Sequence, residues 1–170
     1  MSATASGTFS TFPTLLTYRL VAYETATDPG TNTSTVQVYA YIDFTGGSAS
    51  SSGGSGTVVI AGTTYNWSLG SQSFSGPGSI EIGNWTKTGV AHNADGTGSA
   101  AFSGTASMTG WGSASASGTL TLTPLNLAAG KRWTGSAWTD VTVNKRWTGS
   151  AWTDLTIKKR WSGSAWTDLG

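Results

Sequence analysis

Residues 131–170 consist of one eleven-residue motif that is written three times, and this repeat constrains the fold more than any other feature of the sequence. The motif Lys-Arg-Trp-x-Gly-Ser-Ala-Trp-x-Asp, followed by Val or Leu, begins at Lys131, Lys145 and Lys159, at a constant step of fourteen residues. A constant step indicates a small structural unit that stacks on copies of itself, because it cannot bury its apolar side alone. Each copy contains two tryptophans, and tandem units of this kind favour a stalk or a binding tip over an enzyme.

The centre of each copy predicts a β-hairpin. Gly135-Ser136 is a two-residue loop of the kind found in primed hairpin turns, with the glycine at positive φ. Trp133 then lies opposite Trp138, and Lys131 opposite Asp140. Such pairs contribute only ~0.2–1 kcal/mol each, which is too little for an isolated hairpin to persist. We therefore expect the hairpins to stack, to dock on the preceding residues, or to intertwine with other subunits in a homo-oligomer; a trimer is expected by analogy with fibrous tails.

The sequence before the repeats has the pattern of an antiparallel β-sheet protein. In Thr35–Phe44, aliphatic side chains alternate with polar and aromatic ones, as a half-buried strand requires. Turn signals such as Asp28-Pro29-Gly30 separate the strand signals at intervals typical of a sandwich. We predict roughly eight strands, and the clearest cover residues 15–23, 35–44, 57–61, 63–69, 79–88, 100–108 and 113–124. The segments 57–61 and 63–69 flank Gly62 and predict a hairpin, and Asn93-Ala94-Asp95-Gly96 predicts a turn between strands. Trp67, Trp85 and Trp111 are expected in the core.

The resulting fold class is all-β: an Ig-like antiparallel β-sandwich followed by a C-terminal array of three short tryptophan β-hairpins. We assign residues 1–127 to the sandwich and 128–170 to the three fourteen-residue repeats. The segment 46–56 (Gly-Gly-Ser-Ala-Ser-Ser-Ser-Gly-Gly-Ser-Gly) has low complexity. Because the strand pattern resumes directly after it, we expect a flexible surface loop rather than an interdomain linker.

Charge and cysteine content exclude several classes of protein. The net charge of +1 gives no reason to propose nucleic acid as a partner. Residues 1–130 hold two basic and five acidic residues (net −3), whereas 131–170 hold seven and three (net +4). The basic repeats either attract anionic surfaces or simply keep a tryptophan-rich segment soluble, which we favour. With no cysteine, disulfides and thiolate metal sites are excluded.

Targeting signals are also missing from the sequence. Residues 1–10 lack the basic start and apolar core of a signal peptide, and no segment approaches the ~20 apolar residues of a membrane span. We expect a protein made in the cytoplasm of a host cell without an export signal, and no membrane insertion.

The sequence offers no catalytic or metal-binding constellation. His92 is the single histidine, and Asn93 and Asp95 beside it are ordinary turn residues, so we favour a turn over a metal or proton-relay site. Glu24 and Glu81 are the only glutamates, but nothing in the sequence brings them together as a glycosidase pair. We expect a non-enzymatic protein with no cofactor and no metal.

The sandwich segment resembles a β-sandwich module in tail (minor structural) proteins of long-tailed phages that infect Gram-positive bacteria. The resemblance covers about residues 15–124 and rests on segments 18–24, 32–36, 65–68, 91–97 and 115–122, of which Ala-His-Asn-Ala-Asp-Gly-Thr at 91–97 is the most specific. The repeat is similar to hairpin repeats at the ends of tail proteins of actinobacterial phages. Related tail proteins are usually much longer, and this departure leaves the position on tail or head open.

The resemblance implies a virion protein at the tail tip or on a fibre, in contact with other tail proteins and with the host surface. Flat indole rings stack on sugar rings, so a host cell-wall polysaccharide is one expected partner. The alternative is a purely structural decoration or assembly protein on the tail tube or the head, in which the repeats dock on neighbouring virion proteins. For the tryptophans themselves, we favour a role as the cores of their own hairpins over a binding role. A secreted host lectin is disfavoured by the missing signal peptide. The candidate glycan- or partner-binding residues are Trp133, Trp138, Trp147, Trp152, Trp161, Trp166, Arg132, Arg146 and Arg160.

Overall fold

The computed structural model describes residues 1–125 and, after them, six strands of three residues each. The chain divides into two units, Met1–Leu125 and Asn126–Gly170. Residues 126–130 and 169–170, together with the segments between the six short strands, lie outside the described residues.

The first unit contains ten strands, all paired antiparallel, and residues 1–125 include no helix. The strands are β1 (Ser2–Thr8), β2 (Leu16–Asp28), β3 (Thr33–Phe44), β4 (Ala49–Ser51), β5 (Gly54–Ile60), β6 (Thr63–Leu69), β7 (Gln72–Phe74), β8 (Gly78–Ala91), β9 (Ser99–Met108) and β10 (Gly112–Thr121). Sheet I has the order β1-β2-β3-β8, and sheet II has the order β10-β9-β5-β6. Strands β4 and β7 form a separate two-stranded ribbon.

The two sheets share one core, which gives the unit its β-sandwich-like architecture. Burial alternates without a break along β3, as the sequence predicts, because successive side chains of a strand point to opposite faces. Tyr18 of sheet I stacks on Trp67 of sheet II with 6.4 Å between ring centroids. Trp67 and Trp111 are buried as predicted, whereas Trp85 is only partly buried and packs against the core.

The lateral edges of the two sheets approach each other on both sides of the core. On one side, the chain after β1 bonds to β10, with Ser10 N donating to Ser113 O at 3.0 Å. A Cβ at Gly7 would collide with the carbonyl oxygen of Ser115, so only glycine allows this approach. On the other side, the Tyr65 hydroxyl of β6 donates to Thr86 O of β8 at 2.9 Å. These contacts protect sheet edges that would otherwise be open to pairing with another chain.

The hairpin predicted around Gly62 is confirmed. Ile60 pairs with Thr63, and the two residues between them, Ala61 and Gly62, have φ angles of +45° and +80°. Two successive positive φ angles define the type I′ turn, whose twist matches that of the flanking strands.

The prediction of a flexible loop over residues 46–56 is wrong for most of the segment. Ala49–Ser51 is strand β4, and Gly54–Gly56 begins strand β5. Packing requires the glycine at position 56: a Cβ on Gly56 would lie 2.6 Å from the Trp67 ring and would collide with the Thr105 carbonyl oxygen. Strands β1 and β7 are further elements that the sequence pattern does not predict.

In the second unit, six strands pair two by two. They are β11 (Lys131–Trp133) with β12 (Trp138–Asp140), β13 (Lys145–Trp147) with β14 (Trp152–Asp154), and β15 (Lys159–Trp161) with β16 (Trp166–Asp168). Trp133 pairs with Trp138 and Lys131 with Asp140, which is the register expected from a Gly135-Ser136 turn. The turns lie outside the described residues, so the hairpin array stays a prediction.

Candidate functional site

The nine candidate binding residues of the repeats all lie in the six short strands. Their tryptophans form three directly opposed pairs, Trp133 with Trp138, Trp147 with Trp152, and Trp161 with Trp166. Arg132, Arg146 and Arg160 stand opposite Thr139, Thr153 and Thr167. Side-chain positions here lie outside what the structure describes, so a role of these residues in glycan binding stays a prediction.

The structure reveals a second cluster, on the outer face of sheet I. Alternation along β2 and β3 and a register shift in β8 between the partners of Ala40 and Tyr41 place eight of its side chains close together. We call them the tyrosine face: Arg19, Tyr23, Gln37, Tyr39, Tyr41, Asp43, Glu81 and Asn84. The strand register sets Arg19 opposite Tyr41 and Tyr23 opposite Gln37. Across the next ladder, Tyr39 stands opposite Asn84 and Tyr41 opposite Glu81.

The three tyrosine rings contact one another in sequence. Tyr39 and Tyr41 are two residues apart on β3, and their rings are nearly parallel at 11° with 6.4 Å between centroids. Tyr23 meets Tyr39 edge to face, with 5.9 Å between centroids and 87° between planes. Both arrangements suit the charge distribution of aromatic rings. Tyr23 is 42% exposed, and Tyr39 and Tyr41 are half-buried, so the rings form an accessible apolar surface with fixed orientation.

A charge pair bounds the tyrosine face on one side. The Arg19 guanidinium donates two hydrogen bonds to the Asp43 carboxylate, at 2.5 and 2.9 Å, and Ser79 Oγ donates a third at 2.6 Å. Arg19 also lies 4.4 Å from the centroid of the Tyr41 ring, a favourable cation–π distance. Hydrogen bonds from Arg19 hold the pKa of Asp43 below its ordinary value, although partial burial opposes this. The same bonds raise the pKa of Arg19, so both groups stay charged at neutral pH.

Amide side chains occupy the opposite side of the tyrosine face. Gln37 Nε2 donates to Asn84 Oδ1 at 3.0 Å, and Asn84 Nδ2 donates to Glu81 Oε1 at 3.3 Å. The Tyr39 hydroxyl donates to Gln37 Oε1 at 3.3 Å. These bonds fix the rotamers of the amides beside the rings, and each amide nitrogen has a second N–H group.

The single histidine belongs to a buried polar chain at one end of the sandwich. Nδ1 of His92 lies 2.8 Å from the carbonyl oxygen of Gly96, and Nε2 lies 2.7 Å from Ser34 Oγ. Ser34 Oγ donates to Glu24 Oε1 at 2.7 Å, and Thr123 N donates to Glu24 Oε2 at 2.9 Å. Burial alone would raise the pKa of Glu24, but the hydrogen bonds from Thr123 and Ser34 outweigh it and the pKa is lowered.

These hydrogen bonds connect β2, β3, the turn between β8 and β9, and the segment after β10. The network of His92, Ser34 and Glu24 therefore stabilises the fold. The turn predicted at Asn93–Gly96 is confirmed by the hydrogen bond from Gly96 N to Asn93 O at 2.9 Å. Glu24 accepts hydrogen bonds from Ser34 and Thr123, whereas Glu81 accepts one from Asn84. The two glutamates therefore belong to separate hydrogen-bond networks. Within residues 1–125, no three His, Asp or Glu side chains are close enough to hold a metal ion.

The sequence pattern did not single out the tyrosine face as a site. The pattern predicts that the strand at Thr35–Phe44 has one aliphatic face and one face of aromatic and polar side chains, and the structure confirms this. The partners of this strand are set by register: a shift of one residue would move Arg19 to the other side of the sheet from Tyr41. Tyrosines at alternate positions on the solvent side of a strand are the signal that could have drawn attention to the face.

Comparisons of the chain with family models, with curated proteins and with solved structures find no match. In the part of the chain that the structure describes, no helix has the length and apolar character needed to cross a lipid bilayer.

Proposed function

We propose that this protein is a non-enzymatic structural component of a long-tailed phage virion, located at the tail tip or on a fibre, where its repeats attach to a glycan of the host cell surface. The observation that carries the proposal is the threefold tryptophan register: Trp133 opposite Trp138, and the equivalent pairs fourteen and twenty-eight residues later. A repeating arrangement of aromatic pairs suits a ligand that itself repeats, as a cell-wall polysaccharide does. The resemblance of the sandwich segment to phage tail modules supports the virion assignment.

Weak single contacts become useful when they are linked. Each repeat presents the same residues, so three equivalent contacts on one chain raise the effective concentration of every further contact. Assembly into a homo-oligomer, which we propose to be a trimer, multiplies this number again. The net charge of +4 over residues 131–170 adds attraction to acidic wall polymers, which weakens as salt screens it.

An Ig-like character of the sandwich is part of the same proposal. The antiparallel sheets around one core fit this broad class. The strand order β1-β2-β3-β8 and β10-β9-β5-β6 nevertheless differs from the immunoglobulin constant domain, whose first sheet joins its first, second, fifth and fourth strands. "Ig-like" therefore refers to the sandwich architecture and not to the immunoglobulin connectivity.

The second candidate function is a purely structural virion protein on the tail tube or the head. It is favoured by the same tryptophan pairs if they form the contact between subunits, since forty residues make a poor core of their own. In that case the indoles become buried on assembly and no glycan is bound.

Sedimentation with isolated Gram-positive cell walls separates the two functions. The full chain is compared with a triple variant, Trp133→Ala, Trp147→Ala and Trp161→Ala, and with a matched control, Thr134→Ala, Thr148→Ala and Ser162→Ala, which changes the adjacent position in each repeat. Attachment predicts that the full chain and the control pellet with walls, and that the tryptophan variant stays in the supernatant. If the full chain does not pellet, attachment by the repeats is wrong and the structural function takes its place. Walls stripped of acidic polymers show whether charge alone causes the binding.

A further inference from the structure

We propose that the tyrosine face of sheet I is a second saccharide-binding site, which accepts a neutral glycan chain. It lies on strands β2, β3 and β8 of the unit Met1–Leu125 and is built from residues that the repeats do not contribute. The proposal therefore goes beyond attachment by the repeats and does not depend on it.

Folding does not require this face to be aromatic. The fold needs apolar side chains on the inner face of each sheet, and both sheets supply them. The corresponding outer face of sheet II consists of small side chains such as Ser55, Thr57, Ser103, Thr105, Ser107, Ser113, Ser115 and Ser117. Sheet I has the same solvent-facing role, yet it exposes three tyrosines in mutual contact. A cluster of large aromatic side chains on one face and none on the other points to binding.

The rings match the apolar side of a sugar. Pyranose rings have faces of C–H groups that stack on aromatic side chains, while their hydroxyls bond to polar groups around the edge. Tyr23, Tyr39 and Tyr41 line a shallow depression together with Glu24, Thr25 and Gln37. Successive rings are 5.9 and 6.4 Å apart, so the face is longer than a single sugar ring and suits a chain of sugars.

The polar groups around the rings are already positioned. Arg19 uses two N–H groups for Asp43, and its guanidinium has five in all. Gln37 and Asn84 are held by each other at 3.0 Å, and each retains a second N–H for a ligand hydroxyl. Since these side chains are ordered before binding, a ligand loses less free energy in fixing them.

The charge of the face selects a neutral ligand. The Arg19 cation is matched by the Asp43 carboxylate at 2.9 Å, and Glu81 adds a further carboxylate opposite Tyr41. A phosphate-rich or carboxylate-rich polymer would meet a face that is neutral to acidic, and like charges repel. Uncharged hydroxyls, by contrast, pair with amides, carboxylates and the free guanidinium N–H groups alike. This selectivity is opposite to that of the basic repeats.

The five tyrosines of the chain allow a direct test. Three lie on the tyrosine face, whereas Tyr18 is fully buried and Tyr65 lies on β6 of sheet II. The full chain is labelled with fluorotyrosine, each signal is assigned with a Tyr→Phe variant, and neutral hexasaccharides of glucose, mannose and galactose are added at millimolar concentration. We expect at least one hexasaccharide to shift the fluorine signals of Tyr23, Tyr39 and Tyr41 and to leave those of Tyr18 and Tyr65 in place.

Two variants test the chemistry. Tyr39→Ala removes the central ring and weakens the hexasaccharide affinity by about tenfold, the size expected of one aromatic contact. Tyr39→Phe keeps the ring and retains most of the affinity. The matched control, Thr105→Ala on the outer face of sheet II, leaves the affinity unchanged.

Other results overturn the proposal. If no neutral hexasaccharide shifts the three signals, or if a glycerol-phosphate polymer shifts them instead, the face is not a neutral saccharide site. If the signals move with protein concentration and not with sugar, the face is a contact between copies of this chain. In the triple tryptophan variant, the hexasaccharide should still shift the fluorine signals of the three tyrosines. This result distinguishes a failure of wall attachment by the repeats from a failure of the tyrosine face.

Discussion

The outer faces of the two sheets differ although the sheets have the same structural task. Both sheets turn an apolar face inward, and together these faces form one core. Outside, the strands of sheet II carry no charged residue, and their exposed positions are chiefly serine and threonine. The outer face of sheet I carries Arg19, Asp43 and Glu81 together with three contacting tyrosines. Packing determines an inner face, whereas an outer face is free to serve binding, so this difference supports the saccharide site that we propose on sheet I.

The largest expected change in the free energy of unfolding comes from a substitution on the inner face of a sheet. Phe102 of β9 is 2% exposed, and Phe102→Ala removes the whole buried ring. We expect the free energy of unfolding to fall by ~3–5 kcal/mol, measured by urea denaturation of the full chain. Thr105→Ala, on the outer face of the same strand, should change it by less than ~0.5 kcal/mol. A large loss from Thr105→Ala would show that the outer face of sheet II is structural too.

A smaller loss in the free energy of unfolding is expected at Ser34, a polar residue on the inner face of sheet I. Ser34 is 2% exposed and bridges His92 and Glu24. Ser34→Ala leaves both without this partner, and a missing partner for a buried polar group costs ~1–3 kcal/mol. Thermal and urea unfolding measure the loss, with Ser117→Ala on the exposed side of β10 as the control. If both variants are equally stable, the hydrogen bonds of Ser34 with His92 and Glu24 contribute nothing to stability. The interiors of the two sheets would then differ less than these hydrogen bonds indicate.

The tyrosine face itself should contribute little to stability. Tyr39 is half-buried, and its contacts with Tyr23 and Tyr41 are of the kind worth ~0.5–1.5 kcal/mol. We expect Tyr39→Ala to lower the free energy of unfolding by about 1 kcal/mol, and Tyr39→Phe to have hardly any effect. A loss as large as that of Phe102→Ala would mean that the rings are there for packing, and the contrast between the outer faces would lose its functional meaning.

The smallest effect concerns pH and the charge pair of sheet I. The pKa of Asp43 is lowered in the folded state by Arg19, so its stabilisation is complete above the unfolded pKa of ~3.9 and disappears as pH falls through the folded pKa. Asp43→Asn should cost less than ~1 kcal/mol at neutral pH, because the pair is partly exposed. Urea denaturation at neutral and acidic pH should show the difference between variant and original chain shrinking below about pH 4. A difference that persists in acid would contradict the assigned role of the carboxylate.

Several elements follow from local patterns. Alternation predicts β3 and its two faces, and glycine chemistry predicts the turn at Gly62 and the turn at Asn93–Gly96. Two causes account for the strands that the sequence does not predict. Strand β7 has only three residues, and β1, β4 and the start of β5 consist of small residues such as those of Ser2–Thr8. Burial alternates along Ser2–Thr8, but alanine, glycine, serine and threonine differ too little in apolar character for the alternation to predict a strand. Some of the glycines are required by the close approach of neighbouring backbones. At Gly7 and Gly56 a Cβ would strike a carbonyl oxygen of another strand.

The sequence by itself determined the all-β character, the principal strands and the threefold register of the tryptophan motif, because each depends on residues that are close along the chain. The tyrosine face was decided only by the tertiary structure. Arg19 and Asp43 are 24 positions apart, and Gln37 and Asn84 are 47 apart. Strand register alone sets which of these side chains become neighbours, and register follows from how the inner faces pack. The chemistry of the outer face is therefore a consequence of the core beneath it.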